Sequence, residues 1–124
     1  MYEVNRSVAI IRPRPPFLDW LKQLPGELND NVTLESLTRD CNALLIPCAD
    51  DYDAAEQAVL EQYRQLFQAE LADWCDDESL WPAPLTLELF QEWFQLEIHS
   101  VLSDIVDEPL ERAEFVPFDL GQDA

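Results

Sequence analysis

"LELFQEWFQLEIHSVLSDIV" (87–106) can be read as two different structures. At a period of 3.6, Leu87, Phe90, Phe94, Ile98, Val101 and Ile105 form the stripe of one long helix. At a period of two, Phe94, Leu96, Ile98 and Leu102 form one face of a strand, with Ser100 as the exception. Residues 98–106 are rich in Ile, Val and Ser, which are mediocre helix formers. The rest of the chain offers only two strands, and two isolated strands joined through helices make a poor sheet. A third strand resolves this. The stretch therefore predicts a helix at 87–93, capped by Thr86, and a strand at about 95–106.

The two other strands are "SVAIIRP" (7–13) and "NALLIPC" (42–48), short β-branched or aliphatic runs bounded by proline. Between them, Pro15 and Pro16 start a helix whose stripe is Phe17, Leu18 and Leu21, and Pro25-Gly26 stops it. "GELNDN" (26–31) is turn chemistry. Thr33 caps the short helix "LESLTRD", which turns Leu34 and Leu37 inward. Asp50 or Asp51 then caps the longest element. In it Tyr52, Ala55, Val59, Tyr63, Leu66, Phe67, Leu71 and Trp74 recur at three and four, apart from the one-residue step at Leu66–Phe67. That pattern predicts a single helix of about 22 residues. "CDDESLWPAPL" (75–85) is a loop pinned by Trp81. The order β-α-(α)-β-α-α-β implies an α+β fold, a small two-layer sandwich with a short sheet of about three strands and helices on one face. The domain is expected over 1–106. An acidic, proline-interrupted tail follows over 107–124, from which Phe115, Val116 and Phe118 dock back.

Twenty-six acidic residues face seven basic ones, a formal charge of −19. Hydrophobic residues still make up 48% of the chain, so this is a core-forming sequence and not a disordered acidic one. The imbalance is lopsided: residues 1–40 carry a net −1, residues 41–124 a net −18. Such a surface repels phosphate and anionic membranes, and it steers basic partners inward. Asp50, Asp51, Asp53, Asp76, Asp77 and Glu78 are the candidate acidic face. The expected function is a non-enzymatic module that binds a basic protein partner, with mimicry of a nucleic acid as a special case. Adaptation to high salt would explain the same composition. A homo-oligomer is compatible with the sequence. No apolar run reaches the roughly 18 residues of a membrane span, and the first residues lack a signal-peptide layout, so a cytoplasmic protein is expected. Cys41, Cys48 and Cys75 show no CxxC spacing and read as reduced thiols.

His99 is the only histidine. On a strand His99 and Ser100 point to opposite faces, while Glu97, His99 and Ser103 share one and Asp104 takes the other. On a helix the pairs are His99–Ser103 and Ser100–Asp104. Neither geometry unites serine, histidine and acid, and Glu97 with His99 falls short of a zinc ligand set. The expected role of His99 is therefore structural, with a bond to a neighbour, and neither metal nor cofactor is expected. "DDYDAAE" (50–56) lacks the glycine and the glutamate of a calcium loop. Arg12 and Arg14, at a strand end before a helix N-terminus, form a candidate anion-binding corner. The alternative function is thus a small enzyme or anion- and ligand-binding domain using Arg12, Arg14 and His99.

The segment from Leu80 to Leu110 resembles small uncharacterised bacterial proteins. These share a Trp-Pro, a Phe-x-x-Trp-Phe, a His-Ser and a later Asp, here Trp81-Pro82, Phe90, Trp93, Phe94, His99, Ser100 and Asp104. The resemblance covers about a quarter of the chain. It implies a shared fold and brings no activity.

Overall fold

The structure is a computed structural model that describes residues 1–26 and 31–114. Its elements run β1 (Tyr2–Glu3), β2 (Arg6–Pro13), α1 (Pro15–Gln23), α2 (Leu34–Arg39), β3 (Asn42–Pro47), α3 (Tyr52–Leu60) and α4 (Tyr63–Ala72), then a 3-10 turn (Glu78–Leu80), α5 (Leu87–Trp93), β4 (Phe94–His99) and β5 (Ser103–Asp104). The fold is α+β. One sheet has the order β3-β2-β4, antiparallel throughout, and β1 pairs with β5 in a second, two-stranded sheet.

The central strand sorts its residues by parity. Ser7, Ala9, Ile11 and Pro13 are buried, while Val8, Ile10 and Arg12 on the opposite face are half-buried. Both apolar clusters lie on the buried face. The larger joins Ile11 to Phe17, Leu21, Phe67, Phe90 and Phe94, and the smaller joins Ala9 to Ile46, Ala55 and Val59. Phe94 stacks within 5.1–5.6 Å of Phe17, Phe67 and Phe90, so the end of α5 and the start of β4 are welded to α1 and α4. The Phe-x-x-Trp-Phe segment is thus core. The helix caps fall where expected: Thr33, Asp51 and Thr86 each accept a backbone N–H with the side chain. Trp81 is buried and its indole N–H donates to the Cys75 carbonyl at 2.9 Å, which fixes the 75–85 loop.

Two expectations need correction. The strand expected over about 95–106 is two short strands. Between the β2–β4 ladder and the β1–β5 ladder the N-terminal side advances five residues (Glu3 to Val8) against four on the other (His99 to Ser103). The two ladders are thus offset by one residue and belong to separate sheets, so the pairing breaks between them. Ser7 Oγ, bonded to the Ser100 carbonyl at 3.1 Å, sits at the break.

The single helix expected over 52–74 is α3 and α4, divided at Glu61–Gln62. Ala55 and Val59 face the sheet, whereas α4 buries Phe67, Glu70 and Leu71 against the larger cluster. The step at Leu66–Phe67 lies inside α4, where both side chains pack on the larger cluster. Tyr52, the first residue of α3, and Trp74, two residues past the end of α4, both expected on the inner stripe, are 50% and 43% exposed. In the tail, residues 107–114 are exposed and form no regular element, though the Tyr2 hydroxyl donates to Asp107. Phe115, Val116 and Phe118 lie outside the described residues, as does most of the 26–31 turn. Among the described residues no helix is long and apolar enough to cross a membrane.

Candidate functional site

The hydrogen-bond parity of the sheet decides which edge is open. The Arg14 N–H donates to the Trp93 carbonyl at 2.8 Å, in register with the β2–β4 ladder. Bonded pairs alternate along an antiparallel ladder. Even-numbered residues of β2 therefore bond to β4, and Ser7, Ala9 and Ile11 bond to their register partners Ile46, Leu44 and Asn42 on β3. On β4 the outward groups are those of Phe94, Leu96 and Ile98. The Phe94 N–H is taken by the Phe90 carbonyl, and the Leu96 carbonyl accepts from the Tyr52 hydroxyl at 3.4 Å. On β3 the outward groups are the N–H and C=O of Ala43 and Leu45 and the C=O of Pro47. Among the described residues no strand and no backbone group pairs with them. Pro47 has no N–H to offer, which suits an edge.

Beside this edge runs a groove of about 670 Å³ between β3 and the α3–α4 pair. Leu44, Ile46, Val59 and Leu66 give it an apolar floor, and Gln62 and Gln65 stand on its helical wall. Glu61, Glu70 and Asp73 supply its charge, and no basic residue lines it. Glu70 is 7% exposed and accepts from Asn42 Nδ2 at 2.8 Å, while the same amide reaches Asp73 at 3.2 Å. Burial, reinforced by the Asp73 charge and offset in part by Asn42, pushes the Glu70 carboxyl up to about 7. Asn42, Glu70 and Asp73 also line a second cavity, of about 430 Å³, beside Leu37. The Asn42–Glu70 bond is thus the partition between two cavities.

The expected site residues are scattered. Arg12 Nε binds Glu97 Oε1 and His99 Nε2 lies against Glu97 Oε2, each at 3.0 Å, on the open face of the sheet. His99 is bonded to a neighbour as expected, yet its side chain is 56% exposed and not a core group. The His99 and Arg12 bonds together hold the Glu97 carboxyl below its ordinary range. Arg14 does not join them. It is exposed and lines a different cleft with Tyr52, Glu56 and Gln95, so the two arginines form no common corner. Ser100 lies one residue beyond β4 with Ser7 as its bonded neighbour.

The six acids form two patches. Asp50 and Asp51 line a cleft with Ser7 and Ser100 at the start of β2, with Asp53 beside them on α3. Asp76, Asp77 and Glu78 lie near Trp20, whose indole donates to the Leu80 carbonyl, beyond the other end of β2. Asp51 is committed to the cap of α3, and Asp77 to Ser79, whose bonds hold its carboxyl below the usual range. All six are exposed. Among the described residues no three His, Cys, Asp or Glu side chains gather as a metal-holding group.

Sequence reading missed the groove acids. One signal was present: Glu70 stands three residues after Phe67 and four after Leu66, on the buried stripe of its helix. Comparison with protein-family models, curated proteins and solved structures found no match.

Proposed function

We propose that this protein is a non-enzymatic interaction module, acting in the cytoplasm, that offers an acidic surface to a basic protein partner. One observation carries the reading: the acids are not neutralised from within. Among the described residues, cationic side chains pair only with Glu97 and Glu35. The carboxylates of Asp50, Asp51, Asp53, Glu61, Asp73 and the 76–78 loop stay exposed to whatever approaches. An uncompensated field of one sign concentrates oppositely charged partners and repels nucleic acid. Three free thiols are compatible with a reducing compartment. The alternative, catalysis or anion binding through Arg12, Arg14 and His99, draws no support from the geometry. Arg12 and His99 both engage Glu97, and Arg14 lies apart.

The test is to capture partners on the purified protein and titrate the best of them at about 50 and 300 mM salt, a range over which screening changes strongly. Affinity should fall steeply at the higher salt, and no duplex DNA should bind. A salt-independent affinity, or tight binding to DNA, would remove the reading.

A further inference from the structure

We infer that β3 is a docking edge: an extended partner segment with alternating apolar and basic side chains adds to it as a fourth strand and fills the groove against α3 and α4. The inference rests on the acidic-module reading and names where that module holds its partner.

Three observations converge on it. First, the outward N–H and C=O groups of Ala43 and Leu45 are a ready template for pairing, whereas β4 has its outward Phe94 N–H and Leu96 carbonyl engaged and keeps the Leu96 N–H and the Ile98 groups open. Second, the edge is guarded only at its end, by Pro47. Natural edge strands are protected by charges, bulges or covering elements. "NALLIP" carries no charge, and Ala43 and Leu45 are exposed, Leu45 by 50%. By contrast the outer face of β4 carries Glu97 and His99. Third, the chemistry beside the edge alternates as a strand would need. A pairing strand sends successive side chains to opposite faces. One set would enter the groove over Leu44, Ile46 and Leu66, and the other would lie over Ala43 and Leu45 on the open face. Glu61 and Asp73 stand at the groove with no basic residue to neutralise them, so the basic set is the one that enters the groove, its stems over the apolar floor and its charges at those carboxylates, while the apolar set lies over Ala43 and Leu45. A second copy of this chain would bring another strongly negative surface to the same place, which charge disfavours. Main-chain bonds then give affinity and the groove gives selectivity, the usual division in strand addition.

The test uses the full chain, ¹⁵N-labelled, at about 50 mM salt to preserve the electrostatics. The probes are a Val–Lys alternating peptide of about eight residues, long enough to cover the edge, its counterpart N-methylated at alternate residues, and a Val–Glu peptide. The Val–Lys peptide should shift the Ala43 and Leu45 amides and slow their exchange. It should bind about tenfold more tightly than either control, the scale of one or two net hydrogen bonds. Leu45→Pro removes an N–H that the native ladder does not use and should cost a similar factor. Glu61→Lys, on an exposed helix end, should weaken the lysine peptide and leave folding intact.

Equal binding of the N-methylated peptide would overturn the inference, as would no saturation by about 1 mM. Contacts mapping to Asp50–Asp53 or Asp76–Glu78 would overturn it while leaving the acidic module standing. Equal binding of the lysine and glutamate peptides would remove both. Concentration-dependent shifts at Ala43 and Leu45 without peptide would assign the edge to a second copy and overturn the partner named here.

Discussion

A single carboxyl, that of Glu70, links the core to the groove. Its burial and the nearby Asp73 raise it to about 7 from an ordinary 4.5, with Asn42 as its donor. In the folded state it therefore holds a proton that the unfolded chain has already released between those values. Stability must rise as pH falls from about 8 toward 5, by an amount on the order of 3 kcal/mol for a shift of this size. Glu97 and Asp77 work in the other direction. Their lowered values contribute stability above the ordinary carboxylate range, which is lost as pH falls through their folded values. The stability maximum should lie between the two windows, near pH 5. Glu70→Gln keeps an acceptor for Asn42 and removes the charge. At pH 8 it should raise stability by about 1–2 kcal/mol, since it removes the cost of a buried ion. It should also flatten the dependence between pH 8 and 5. Thermal melts of both proteins across that range decide the matter: a Gln variant that is less stable at pH 8, or that keeps the wild-type slope, would mean Glu70 is ionised at little cost.

At the scale of elements, the competition between helix and strand over 94–106 has a sharp mutational signature. A strand turns Phe94, Leu96 and Ile98 to the core, and a continued helix would turn Phe94, Ile98 and Val101. The structure half-buries Leu96 against both apolar clusters and leaves Val101 65% exposed. Leu96→Ala should therefore cost about 2 kcal/mol, the low end for a truncated apolar side chain, and Val101→Ala almost nothing. Denaturant unfolding of the two variants measures this, and the opposite order would restore the long helix. The sequence already contained most of this architecture. Periodicity placed α5, the strand after it and the two earlier strands, and cap chemistry placed Thr33 and Thr86 and narrowed the third cap to Asp50 or Asp51, of which the structure uses Asp51. What it could not carry were features set by packing between elements. The break at Glu61–Gln62 arises because Ala55 and Val59 must meet the sheet while Phe67 and Leu71 meet the aromatic cluster. Across it Val59, Tyr63 and Leu66 keep the spacing of one continuous helix, so the pattern did not mark it. The open edge of β3 depends on which strand is central and on the parity of its hydrogen bonds, and neither is a local property. His99 was legible as a bonded strand residue. Its exposure was not, because that depends on the helices covering only the opposite face of the sheet.

Across the whole molecule, one charge imbalance should act in opposite directions on folding and on binding. With a formal charge of −19, and cationic pairing confined to Glu97 and Glu35 among the described residues, the folded chain repels itself. Unfolding separates those charges, so the repulsion is a cost of the compact state. Salt shortens the reach of each charge from about 30 Å at 10 mM to well under 10 Å at 300 mM. Stability should rise accordingly, by about 5 °C in Tm for a change near 1 kcal/mol in a domain of this size. Affinity for a basic partner should fall over the same range, because the attraction between molecules is screened by the same ions. The expected pair of slopes separates the interaction module from adaptation to high salt. A salt-adapted protein would lose its fold at 10 mM. Here Phe17, Phe67, Phe90 and Phe94, all within 2% of complete burial, pack into an apolar core, so the interaction-module reading expects the fold to persist at 10 mM. Melting curves at 10 and 300 mM sodium chloride, run beside a partner titration at both, provide the measurement. A folded protein at 10 mM whose Tm climbs while its binding weakens is the expected result. A chain unfolded at 10 mM would assign the acidity to its environment instead of to a partner.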